Sequence, residues 1–61
     1  MPIVQIEMIE GRSVEKKRKM VKGITEAIVE AIGCEPGAVR IIIRDIAKHN
    51  IGDGGELMSD K

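Results

Sequence analysis

The spacing of apolar residues changes three times along the chain. From Pro2 to Ile9 it alternates imperfectly: Pro2, Val4, Ile6 and Met8 fall on one side of an extended segment, and Ile3, Gln5, Glu7 and Ile9 on the other. One side is apolar and the other mixed. That predicts a strand covered by a helix on one face and partly by another subunit on the other. Glu10-Gly11 is a turn signal that ends the strand. From Val14 the spacing lengthens. Val14, Val21, Ile24, Ile28 and Ile32, with Met20, Ala27 and Ala31, form a stripe at helical period. Ser13 is a good N-cap and Gly33 a good residue just past the end, so the two bracket a helix of about 19 residues. After a connector at Cys34–Ala38, the run Val39–Ile46 is β-branched and almost continuously apolar. It predicts a second strand buried on both sides, as in a parallel pair. From Ala47 the chain turns polar. Asn50–Gly55 reads as a turn-rich loop that a hairpin would also fit, Glu56-Leu57-Met58 as a docking segment, and Ser59–Lys61 as a frayed end.

Strand, helix and strand over this length make one right-handed βαβ unit, an α/β single domain over residues 1–61. A chain this short buries only about 60% of its unfolded surface. It has one cysteine, and no Phe, Tyr or Trp, so it lacks a disulfide and large aromatic contacts. A two-stranded sheet has little independent stability. Yet 43% of residues are hydrophobic, so neighbouring subunits are expected to complete the core.

Charge excludes several partners. Ten basic and ten acidic residues balance, so no global field draws the chain to nucleic acid or membrane. No apolar run approaches the ~20 residues of a membrane span, and no signal peptide is visible. An unpaired Cys34 suits a reducing cytoplasm. The helix charges are unusual. Lys16, Lys17, Arg18, Lys19 and Lys22 crowd its first half, and Glu26 and Glu30 its second, the reverse of what the macrodipole favours. The plain reading is a solvated face. The sharper one is an antiparallel helix from a two-fold mate, which sets each basic half beside an acidic half.

Few residues invite chemistry. With Met1 removed, Pro2 is a terminal secondary amine; with Met1 in place its nitrogen is an amide without useful basicity. A free prolyl nitrogen in an apolar pocket near cations would have its pKa lowered toward neutrality, which suits a general base. Arg12 stands just before the helix and Arg40 within the apolar strand. Singly, each fits a surface or structural role. Together, near an amine, they make a site for an acidic substrate, because guanidinium groups bind carboxylates bidentately. Arg44 shares the strand face of Arg40 and competes for its role. His49 has no companion ligand, and no Cys/His spacing suits a metal. Gly52-Asp53-Gly54-Gly55 lacks the spacing of a phosphate-binding loop.

Taken together, Pro2-Ile3-x-Gln5-Ile6, Glu10-Gly11-Arg12-Ser13, Glu26-Ala27-Ile28, Val39-Arg40-x-Ile42-Ile43 and Gly52-x-Gly54-Gly55-Glu56-Leu57 resemble the 4-oxalocrotonate tautomerase family in order and spacing over nearly the whole chain. The resemblance implies a βαβ subunit in a homohexamer, a trimer of two-fold dimers with antiparallel helices over a four-stranded sheet. It implies interconversion of 2-hydroxymuconate and 2-oxo-hex-3-enedioate without metal or cofactor. Pro2 would move the proton, Arg12 would hold the distal carboxylate, and Arg40 would hold the 2-oxygen and adjacent carboxylate. Pro2 and Arg12 are expected from one chain and Arg40 from a neighbour. Ile51 falls where the family prototype has an aromatic wall residue, and so is expected to line the site. Two alternatives stand beside this reading. One is a hydratase or dehalogenase relative in which Asp53 activates water; the other is a non-catalytic oligomer if Met1 is retained.

Overall fold

A side-chain cap defines where the helix begins, and a backbone cap where it ends. In the computed structural model, which describes residues 1–61, the Lys16 amide donates to Ser13 Oγ at 3.2 Å. At the other end the Gly33 amide donates to the Val29 carbonyl at 2.9 Å. Between these caps runs α1, Val14–Ile32, 19 residues long as its flanking residues predict. On either side lie β1, Ile3–Ile9, and β2, Arg40–Ile46. Val39, expected to open β2, instead closes a 3₁₀ turn at Pro36–Ala38, its amide donating to the Pro36 carbonyl. Proline at the first position of that turn has no amide to leave unpaired.

β1 and β2 pair in parallel, with Ile3 opposite Arg40, Gln5 opposite Ile42 and Ile9 opposite Ile46. Partners in this register share a face. Val4, Ile6, Met8, Ile41, Ile43 and Asp45 therefore lie together beneath α1, where Lys17 Nζ donates to Asp45 Oδ2. Ile3, Gln5, Glu7, Arg40, Ile42 and Arg44 form the open face, as the mixed pattern of β1 predicts. Double burial of β2 does not occur within one chain: Arg40, Arg44 and Asp45 are exposed. The reason is that one helix covers one face only.

The helix stripe is likewise half-used. Met20, Val21, Ile24 and Ile28 are half-buried, but Val14, Ala27, Ala31 and Ile32 are exposed. Gly23, Ala27 and Ala31 stand four residues apart on the uncovered flank, and nothing lies within 4 Å of where a Gly23 Cβ would project.

The C-terminal residues fold rather than fray. A 3₁₀ turn at Lys48–Asn50 leads to a short antiparallel hairpin of β3, Gly52–Asp53, and β4, Glu56–Leu57. Its two linking residues, Gly54 and Gly55, have φ of 62° and 88°. A two-residue turn with both φ values positive requires glycine or a close substitute. A last 3₁₀ turn at Met58–Asp60 packs back on the Lys48–Asn50 turn. Lys61 Nζ lies 3.9 Å from Asp53 Oδ2.

No residue of this chain is buried. Its accessible surface is 4745 Å², where a compact protein of this mass exposes roughly 3,900 Å². Its radius of gyration is 14.9 Å, where about 10.5 Å is usual at this length. Ile3 at 58% and Ile32 at 63% exposure mark surfaces built to be covered.

Candidate active site

Pro2 precedes β1, and its carbonyl accepts the Arg40 amide at 3.0 Å. The two residues are thus backbone neighbours at the start of the sheet. Their side chains diverge, because Arg40 is in register with Ile3 and Pro2 is one residue out of phase. The Arg40 guanidinium therefore belongs to the open face, away from α1. Arg44, two repeats further along the same face, donates from Nη1 to Gln5 Oε1 at 3.4 Å. Arg40 has no such partner, so of the two competing arginines it is the free one.

Arg12 is at the other end. β1 closes at Ile9, and the chain reverses through Gly11, whose φ of 121° excludes a side chain in practice. That reversal folds Arg12 back, and its Nη1 donates to the Ile9 carbonyl at 3.0 Å. Seven residue steps separate Pro2 from Ile9 at roughly 3.3 Å each, so the guanidinium is held about 23 Å from the proline. One chain therefore does not bring Pro2 and Arg12 together. The expectation that they share a pocket within one subunit is overturned by the length of the strand between them.

Around Arg12 lies a cleft of about 200 Å³ lined by Met8, Arg12, Lys16, Lys17 and Met20. Met8 comes from the covered face of β1, Arg12 from the turn before α1, and Lys16, Lys17 and Met20 from the first two turns of α1. Lys17 is held by Asp45; Arg12 and Lys16 form no ion pair. The cleft combines an apolar floor with uncompensated positive charge, suited to an anion with a hydrocarbon body. From the sequence, the basic residues of the early helix read as a solvated face or as the complement of a mate's acidic half, and not as part of a site. The available signal was spacing: Lys16 and Met20 are four apart, hence stacked on one side of α1.

Ile51 is half-buried in the C-terminal arm, where its carbonyl accepts the Met58 amide at 2.8 Å. That arm continues from the end of β2, so Ile51 lies at the Arg12 end of the sheet and not beside its own Pro2. Asp53 sits in the hairpin opposite Glu56 and near Lys61. His49 is exposed in a 3₁₀ turn, and no three His, Cys, Asp or Glu side chains gather as a metal site would require.

The family model described as "Tautomerase enzyme" matches residues 2–61. A 2-hydroxymuconate tautomerase of Pseudomonas putida is 44% identical over 59 residues, covering 97% of this chain and 94% of its own. Among solved structures, the 4-oxalocrotonate tautomerase isozymes of Methylibium petroleiphilum superpose with a TM-score of 0.83 at 41% identity, covering 95% of this chain and 94% of theirs. A heterohexameric 4-oxalocrotonate tautomerase of Chloroflexus aurantiacus superposes with a TM-score of 0.86 at 30% identity, covering 98% and 97%. With its βαβ fold, its arginines at both ends of the sheet and a match that begins at the proline, the chain belongs to the tautomerase family, in the 4-oxalocrotonate tautomerase group, and is an isomerase.

Proposed function

We propose that this protein interconverts the enol and keto forms of an unsaturated dicarboxylate resembling 2-hydroxymuconate, with Pro2 as general base and no cofactor. The observation that carries the reading is the family match over residues 2–61, together with 2-hydroxymuconate tautomerases 44% and 46% identical over most of the chain. Loss of Met1 turns the Pro2 amide into a secondary amine. That amine takes the proton of the 2-hydroxyl and delivers one to C5, so the double bonds shift with no net change of atoms. Arg12 holds the carboxylate remote from the enol. Arg40 holds the 2-oxygen and the carboxylate beside it, and the two guanidinium groups stabilise the dienolate. Ile51 contributes an aliphatic wall that excludes water.

Because one chain separates these groups, the site is assembled between chains. Both edges of the two-stranded sheet are open. If two-fold mates pair antiparallel along β1, the start of one β1 lies beside the end of the other, and Pro2 meets its mate's Arg12 and Ile51. Pairing along β2 would leave them three strand spacings apart, about 14 Å. The β1 arrangement also lays the two helices antiparallel. Each basic half then faces an acidic half, and the exposed Gly23, Ala27 and Ala31 flank permits close approach. Arg40, on the open face, reaches a site in a different dimer, so that three chains build each pocket and the assembly is a homohexamer. The free Cys34 is in keeping with a reducing cytoplasm.

Asp53 gains no comparable support as a water-activating base, since it is held in the hairpin beside Lys61. The test joins intact-mass analysis to an ultraviolet assay of dienol loss. Protein lacking Met1 is expected to turn over, and Pro2→Ala is expected to lose about 10²–10⁴ in rate, the usual share of a general base. Turnover by a population that carries Met1 throughout contradicts the mechanism.

A further inference from the structure

We propose that Lys16 is a specificity-determining residue of this site. With Arg12 it forms a two-cation clamp over Met8 and Met20, and the clamp selects dianionic substrates over monoanionic ones. The inference rests on the tautomerase reading above and deepens it by assigning the residue that recognises the remote carboxylate alongside Arg12.

Three observations carry it. First, the cleft beside Arg12 is lined by three cations and two methionines, with no carboxylate among them. Second, the cations are not equivalent. Lys17 is neutralised by Asp45 beneath the helix, whereas neither Lys16 nor Arg12 has an acidic partner. Third, both free cations are placed, one through its backbone and the other through its side chain. The Lys16 amide is bound by Ser13 Oγ in the capped first turn, and Arg12 is anchored by its bond to the Ile9 carbonyl. That bond uses one N–H of the guanidinium and leaves its other donors for a carboxylate. Arg12 offers a planar fork and Lys16 a mobile point charge, so a carboxylate can be held bidentately and neutralised from a second side. The methionines accept the carbon chain on flexible, polarisable thioethers.

The probes are trans,trans-muconate and sorbate, two unreactive six-carbon dienes that differ in whether the remote end carries a carboxylate or a methyl group. Their affinities are measured by calorimetry at low salt, with the assembled protein lacking Met1. Wild type is expected to bind muconate about tenfold more tightly than sorbate. Lys16→Gln is expected to weaken muconate about fivefold, with sorbate unmoved. Half a molar salt should erase most of that difference. Lys22→Gln, on the same helix but outside the cleft, serves as the control and should alter neither probe. Equal muconate affinity in wild type and Lys16→Gln overturns the assignment, as does an equal loss on both probes. Failure of the tautomerase reading looks different: muconate still binds with the Lys16 dependence, but the ultraviolet assay detects no turnover.

Discussion

The two ends of β1 are chemically unlike. At the start stand Pro2 and, one strand over, Arg40, with no enclosing wall. At the far end Arg12 is clamped to Ile9 beside a cleft, and the C-terminal arm with Ile51 emerges close by. In the proposed mechanism one end supplies the base and Arg40, and the other supplies Arg12 and the sheltering wall. Neither end is a site, and a rigid strand of seven residues keeps them apart. On the proposed mechanism the separation has a structural use, because a chain whose two ends cannot meet would have to assemble to react. The same exposed edge and face that leave this subunit without a buried residue are the surfaces that assembly would cover.

Mixed variants put the separation of the two ends to the most severe test. Pro2→Ala and Arg12→Ala should each be nearly inactive, the second by about 10²–10³ in rate because it removes a charge-stabilising donor. If each pocket takes Pro2 from one chain and Arg12 from its two-fold mate, unfolding and refolding an equimolar mixture should restore activity. Random assembly gives about a quarter of the pockets both native groups. If both groups came from a single chain, every pocket would keep one lesion and the mixture would stay as inactive as its components. The ultraviolet assay on the refolded mixture reads the outcome directly.

A smaller effect is expected at the cap that sets the Arg12 end. Ser13→Ala removes the acceptor for the Lys16 amide and should cost about 1 kcal/mol. For a domain of this size that lowers the melting temperature by roughly 4–8 °C. Scans must compare equal protein concentrations, since subunit association shifts the midpoint. An unchanged midpoint would show that association, not the cap, holds the first turn in place.

How much of this was legible beforehand follows from which forces are local. Ser13 and Gly33 act on their own helix, so both ends of α1 could be read residue by residue. The parallel pairing follows from the strand–helix–strand order. The C-terminal arm was less legible because its glycines signal a turn without naming its partner. Only the antiparallel pairing of Gly52 with Leu57 and of Asp53 with Glu56 shows the hairpin. The apolar stripe of α1 could be seen, but not which part of it one chain would use; Ala27 and Ala31 have helical spacing and still lie open. Pro2, Arg12 and Arg40 could be singled out by chemistry and by resemblance. Their distribution over chains could not, because it depends on the length of β1 and on the phase of Arg40 relative to Pro2.

The smallest expected effect concerns the ion pair beneath the cleft. Lys17 and Asp45 are 24% and 39% exposed in their side chains, so solvent screens the pair. Its contribution should fall within the usual range of about 0–1 kcal/mol. Asp45→Asn should therefore change the melting temperature little, yet it frees the Lys17 ammonium at the edge of the cleft. Muconate affinity should then rise, by about twofold, through the added uncompensated charge, and the gain should vanish in high salt. A loss of affinity instead would mean that Asp45 holds the helix in the position that shapes the Arg12 end. The difference between the two ends of β1 would then rest on packing as much as on charge.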